Sequence, residues 1–125
     1  MSAFTEAELH YLSTHPLMRF ASASLTGKPD VSPVVFQVEG DTITSGGFDI
    51  PKTVRYRNIT VNPQVTVVVD DLASADPWSP RGIKLIGTAT IEDGPLFRIT
   101  PSVFISWGIN DTTPGVPTME RRTVG

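Results

Sequence analysis

VTVVVDDLASADPWSPRGIKLIGTATIE, residues 65–92, is the stretch whose reading decides the fold. Residues 65–69 form a short apolar run rich in β-branched side chains, too short for a helix, and read as a buried strand. Residues 82–92 form a longer run in which Ile83, Leu85 and Ile91 punctuate polar positions, and read as a second strand. Between them, residues 71–81 read as a loop of about ten residues, a length that in a small domain usually signals function. It carries Asp76-Pro77-Trp78-Ser79-Pro80-Arg81.

The same texture continues on both sides. Downstream, Asp93-Gly94-Pro95 turns into residues 96–100, Pro101 interrupts, and residues 103–107 give a last strand. Upstream, residues 17–24 and 31–38 flank the turn Thr26-Gly27-Lys28-Pro29-Asp30 as a hairpin, and Glu39-Gly40-Asp41 turns into residues 42–45. Pro33 cannot donate to a ladder, so it marks an edge or a bulge. Two short helices complete the pattern. Thr5 and Glu8 make a capping box with Phe4 and Leu9 at the staple positions, which predicts a helix over 6–13 that packs through Leu9 and Leu12. Pro16 bars its continuation. Pro51 opens and Asn62-Pro63 closes a second helix, over 52–61. About six strands with two short helices indicate a mainly β chain, a small barrel or sandwich. From Asn110 the tail has little to bury, so residues 110–125 are expected to be ordered only when a partner or ligand holds them.

The chain has 125 residues, which supports one domain spanning 1–125 and rules out a separate cofactor domain. The absence of cysteine excludes a disulfide framework, thiolate metal sites and thiol nucleophiles. Ten Lys and Arg against 13 Asp and Glu give a net charge of -3, the wrong sign for a surface that seeks nucleic acid. No stretch approaches a membrane span and the start lacks a leader pattern, so a soluble, cytoplasmic protein is expected.

The candidate chemistry is local. Lys52, Arg55 and Arg57 place three cations within six positions, near a helix start that already carries partial positive charge. A bound phosphate would relieve that repulsion, and Gly46-Gly47 lets backbone come close to it. The competing reading is a solvated face paired with Asp49 or Asp70. His10 and His15 are the only histidines and read as structural; with no nucleophile elbow, zinc set or dinucleotide fingerprint, no metal is expected. Trp107 reads as core or interface, whereas Trp78 stands between prolines in a polar stretch. Arg81 holds an acidic group there, or simply Asp76.

Several strings in this order carry a family resemblance: Arg57-Asn58-Ile59 before Asn62-Pro63, Val67-Val68-Val69-Asp70-Asp71, Pro77-Trp78-x-Pro80-Arg81-Gly82, Gly87-Thr88-Ala89 and Ser106-Trp107-Gly108. The chain resembles, over nearly its whole length, the pyridoxamine-phosphate-oxidase-like proteins, and within them the branch that depends on the deazaflavin coenzyme F420. The resemblance implies a six-stranded split β-barrel of the FMN-binding type and a homodimer with a cofactor groove at each of two interface positions. It implies that Lys52, Thr53, Arg55 and Asn58 lie on the phosphate side. Ser32, Pro33 and Val34 would back the ring, and Trp78, Arg81 and Trp107 would lie near the groove or the dimer seam. Where many relatives have lysine this chain has Arg55, which still binds phosphate. The implied function is an F420-dependent oxidoreductase that passes a hydride to a small electron-poor substrate, with Arg81 as the candidate for polarising it. The alternatives are an FMN-dependent oxidase or reductase of the same fold, and a non-catalytic F420- or flavin-binding protein. Arg121 and Arg122 are candidates for the acidic tail of F420.

Overall fold

The computed structural model describes residues 3–124, and its longest strands come from the stretch quoted above. In chain order the elements are α1 (Glu6–Ser13), β1 (Leu17–Ala23), β2 (Pro29–Val35), β3 (Gln37–Glu39), β4 (Thr42–Ser45), a 3-10 turn (Ile50–Lys52), α2 (Val54–Val61), β5 (Gln64–Ala75), β6 (Trp78–Glu92), β7 (Leu96–Trp107) and β8 (Met119–Thr123). The strands form one antiparallel sheet in the order β2-β1-β5-β6-β7-β4-β3, with β8 added to β7. The sheet curls into an incomplete barrel. Its two flanks meet where the Ser45 hydroxyl donates 2.8 Å to the Val35 carbonyl. Eight strands are therefore found among the described residues where about six were expected. The short β3 and the terminal β8 are the additions.

The concave face holds the core. Met18, Phe20, Ile43, Phe97, Ile99 and Phe104 are fully buried, and each such side chain contributes roughly 1.5–3 kcal/mol relative to exposure. Phe20 and Phe97 meet edge to face at 5.5 Å. The capping box of α1 forms as expected, with the Thr5 hydroxyl accepting from the Glu8 amide and the Glu8 carboxylate accepting from the Thr5 amide. The buried face of α1 is Glu8, Tyr11 and Leu12, while Leu9 is only half-buried. Phe4 packs on Phe104.

Several expectations need correction. First, residues 71–81 are not a loop: β5 and β6 stay paired from Gln64↔Thr88 to Ala75↔Trp78. Pro77 lies in the turn and Pro80 beside the register shift at Leu72/Ser74, positions where a missing N–H costs no ladder bond. Second, Pro101 bends β7 without ending it. The shift sits between Ile86 and Gly87, and a Cβ on Gly87 would overlap the Thr100 carbonyl, so only glycine lets the bulge close. Third, the second helix is divided, with a 3-10 turn through Lys52 and then α2, capped by the Thr53 hydroxyl accepting from the Tyr56 amide at 3.2 Å. Fourth, part of the tail is held without any partner. β8 pairs with β7 from Val103↔Thr123 to Trp107↔Met119, and the Arg122 guanidinium reaches the Glu8 carboxylate at 3.0 Å and the Ala3 carbonyl at 2.8 Å.

The run at 65–69 is also buried on one face only, since Val65, Val67 and Val69 point inward while Thr66 and Val68 are half-exposed. On the convex face Val31, Ala21, Thr66, Ile86 and Val103 lie side by side across five strands, with Val31 64% and Ile86 37% exposed. Leu17 and Val35 form a further exposed pair on this face, separated from that row by Arg19 and Pro33.

Candidate functional site

The start of α2 is one of the places where polar side chains gather. Pro51 fixes the 3-10 turn, Thr53 caps α2, and Arg55 follows in its first turn. The Thr53 hydroxyl also donates 2.7 Å to the Ile50 carbonyl, which fixes the entry into the helix. The Arg55 guanidinium lies over the Phe97 ring at 5.6 Å and one of its nitrogens stands 3.2 Å from where a Gly47 Cβ would be. Its Nε is buried without a hydrogen-bond partner among the described residues. Burial lowers the affinity of this guanidinium for its proton, and the charge of Asp30 opposes that only in part. Lys52 and Arg57 are exposed. Among the described residues none of the three cations forms an ion pair, so the expected partners Asp49 and Asp70 do not neutralise them. An orphaned N–H at this position is costly unless an acceptor arrives.

Asn58 behaves differently from its neighbours. It is buried, and its Nδ2 donates 3.1 Å to the Ser22 hydroxyl, tying α2 to β1. Arg57 and Asn58, with Lys28, Asp30 and Val54, border a cleft of about 400 Å³ between α2 and the β1–β2 turn. Ser32, Pro33 and Val34 lie in β2, an edge strand as Pro33 requires; Val34 is buried and Pro33 exposed opposite Arg19.

The second place is the far end of the β5–β6 pair. Arg81 does not reach Asp76. It grips Asp71, its directly paired neighbour, through Nε at 2.7 Å and Nη2 at 2.8 Å. Tyr11 donates its hydroxyl to the same carboxylate at 2.9 Å, and His15 Nε2 stands 3.1 Å from it. The Arg81 fork, with the other donors, holds the Asp71 carboxyl far below the usual carboxylate range. Burial, and then the bond to Asp71, push the Tyr11 phenol well above its ordinary value. The Arg81 guanidinium lies over the Tyr11 ring at 5.2 Å, and the Tyr11 and His15 rings are 4.1 Å apart.

Trp107 closes this corner. It pairs with Gly82 in the register, and its indole lies where a Gly82 Cβ would stand. Gly108, at φ +66°, lets the chain pass the Pro80 carbonyl where any side chain would collide with it. The Pro80-Arg81-Gly82 and Ser106-Trp107-Gly108 strings are thus two halves of one junction. Trp78 sits apart at the hairpin tip, 55% exposed, with its carbonyl accepting from the Gly115 amide at 2.8 Å.

The chain does not bring the two places together. Asn58 holds Ser22, the residue after Ala21, which aligns with Thr66 on β5, whereas Arg81 aligns with Asp71 further along the same strand, a separation of about 20 Å. Asp71, Tyr11 and His15 were not expected at a site. Asp71 alone had a signal, its place in Asp70-Asp71 ahead of a lone arginine; the contact depends on register and leaves no short-range pattern.

The sequence profile of the family described as pyridoxamine 5'-phosphate oxidase matches residues 4–108. A 5a,11a-dehydrotetracycline/5a,11a-dehydrooxytetracycline reductase of Streptomyces rimosus is 32% identical, with 90% of this chain and 89% of that protein covered. Among solved structures, a conserved hypothetical protein of Mycobacterium tuberculosis superposes with a TM-score of 0.72 at 18% identity, covering 99% of this chain and 94% of the other. An FAD-binding protein of Mycobacterium smegmatis gives 0.60 at 15% identity, covering 82% and 93%. These two structures speak for the fold alone.

Proposed function

The chain belongs to the pyridoxamine 5'-phosphate oxidase family, and we propose that it is an oxidoreductase that uses reduced coenzyme F420 to reduce an electron-poor double bond in a small organic molecule. The observation that carries the cofactor half is Arg55, a cation whose buried Nε has no hydrogen-bond partner among the described residues and whose guanidinium lies against Gly47, three positions after Lys52 in the sequence. That donor set fits a phosphate, which accepts from a guanidinium fork and from backbone amides together. Similarity to a reductase supports the reaction class.

In this reading Lys52 and Arg55 bind the phosphate, and Thr53 and Asn58 hold the loop and helix that present them. The β2 backbone at Ser32, Pro33 and Val34 backs the ring. Of the two tail arginines, Arg122 is committed to Glu8 and Arg121 lies exposed on β8 opposite Ile105, whereas Lys28 and Arg57 border the cleft next to α2 and are the candidates for the acidic tail of F420. When bound, the deazaflavin supplies a hydride, two electrons and one proton together. The protein orients the acceptor carbon and excludes water around it. The displaced electron pair moves onto the substrate's conjugated oxygen, and solvent protonates the neighbouring carbon, so no side chain is required as an acid. Trp78, Arg81 and Trp107 reach the groove from a second copy docked through the convex apolar face, because within one chain Arg81 lies too far from α2.

Titration with F420 and with FMN, followed by tryptophan fluorescence, tests this reading. F420 is expected to bind at micromolar concentration, and Lys52→Ala and Arg55→Ala each to weaken it about tenfold, on the order of 1.4 kcal/mol. Tighter binding of FMN would assign the chain to the flavin enzymes of the fold. No binding of either at tens of micromolar removes the phosphate argument.

A further inference from the structure

A second cleft of about 400 Å³ opens between α1 and the segment after β7, bordered by His10, Tyr11, Thr14, Arg81, Gly108 and Ile109. Its volume is that of a small-molecule site, and its walls combine apolar surface with a few polar atoms. Arg81 is the one permanently charged side chain on its walls. The fork of Arg81 toward Asp71 engages Nε and Nη2, while Nη1 has no hydrogen-bond partner among the described residues. Asp71 accepts from the Tyr11 hydroxyl and from Arg81 Nε and Nη2, so both of its oxygens are engaged. It orients the guanidinium without competing for the remaining edge. Gly82 and Gly108 allow the close approach that fixes this geometry, since a Cβ at either would strike Trp107 or the Pro80 carbonyl.

We infer that this cleft binds an organic anion of one- or two-ring size, with its carboxylate or ionised enol on Arg81 Nη1 and its ring against Tyr11 and Ile109. Calling that anion the substrate rests on the reductase reading; the binding site itself does not. The substrate would then be anchored by an acidic group remote from the double bond it loses. Remote binding of this kind is the usual source of energy for orienting a reacting centre.

Benzoate, with benzamide as its neutral isostere, is the probe. In amide-resolved NMR titrations of the intact protein, benzoate is expected to shift Arg81, Gly108, Ile109 and Thr112 saturably, and benzamide to bind at least tenfold more weakly. Arg81→Gln should abolish that preference. Arg81→Lys, which keeps the charge but not the fork, should reduce it, and the dispersion of each variant's spectrum reports whether it is folded. Equal binding of the two probes, or shifts confined to Gly47, Lys52 and Arg55, would overturn the inference, and the latter would leave the phosphate reading intact. Benzoate binding at Arg81 in a protein that ignores F420 would support this site while ending the F420 reading.

Discussion

Gly82 and Gly108 are defined by what lies where their side chains would be. A methyl on Gly82 meets the Trp107 indole and the Val69 carbonyl, and one on Gly108 meets the Pro80 carbonyl in a backbone conformation that L-residues avoid. Gly82→Ala is therefore an overpacking change of roughly 1–3 kcal/mol, expected to lower Tm by about 5 °C or more. Near-UV circular dichroism should change with it, because Trp107 must move. A fall in Tm without a change in the tryptophan signal would place the clash elsewhere. At this scale the sequence was legible where one residue type carries a meaning by itself. Local charge density singles out Arg55 as a candidate, and the missing N–H of Pro33 marks the edge strand on which it lies. Asp71, Tyr11 and His15 were not found, because a carboxylate that gathers donors from α1 and β6 is defined by a fold and by no spacing.

Among the described residues the α1 helix and β8 are joined by one ion pair, between the buried Glu8 and the half-buried Arg122. Burial alone pushes the Glu8 carboxyl up, and the hydrogen bonds from Arg122 and the Thr5 amide more than reverse it, holding it below its ordinary 4.5. A carboxylate with a lowered folded value stabilises the protein fully above its unfolded value and loses that contribution as pH falls through the folded one. The thermal stability of the wild type should thus decline as pH drops below about 4.5, and that of Glu8→Gln should decline less steeply over the same range. Removing the partner is harsher. Arg122→Ala strands a fully buried carboxylate, at a cost of about 3–5 kcal/mol, and freed β8 should become susceptible to protease. Glu8→Leu in that background should recover much of the loss, since both charges are then gone. If the double variant is no more stable than Arg122→Ala, the pair is not what holds the tail. Elements with local signatures were legible, the capping box of α1 and the β1–β2 hairpin among them. The β5–β6 hairpin read as a loop because its outer half is polar and carries two prolines, which are tolerated at the turn and the bulge. β8 read as a tail because its pairing partner lies about fifteen residues back along the chain, and strand pairing at that distance leaves no periodic mark in a polar segment.

At the scale of the whole molecule the convex face carries the main conflict between sequence and single chain. Residues 65–69 read as buried strand, yet one chain covers only alternate members of the run, and Val31, Val35, Leu17 and Ile86 stand exposed on the same side. Apolar rows of this kind, here flanking a row that carries Arg19 and Lys84, mark a candidate interaction site. The separation of the Arg55 and Arg81 places by about 20 Å along the sheet points the same way, because a second copy is the simplest means of bringing one to the other. Val31→Asp tests both arguments in one variant. Val31 is 64% exposed, so a charge there costs the isolated chain little, about 0.5 kcal/mol at most. Within an apolar interface the same charge would be desolvated without a partner, which a dimer cannot tolerate. Sedimentation is expected to give the wild type at twice the chain mass and Val31→Asp at the chain mass, with far-UV circular dichroism unchanged. F420 affinity should fall in the monomer even though Lys52 and Arg55 are untouched, because the half of the groove carrying Trp78, Arg81 and Trp107 has been removed. A wild type that sediments as a monomer and still binds F420 would leave the phosphate cradle standing and require the whole groove to be built within one chain.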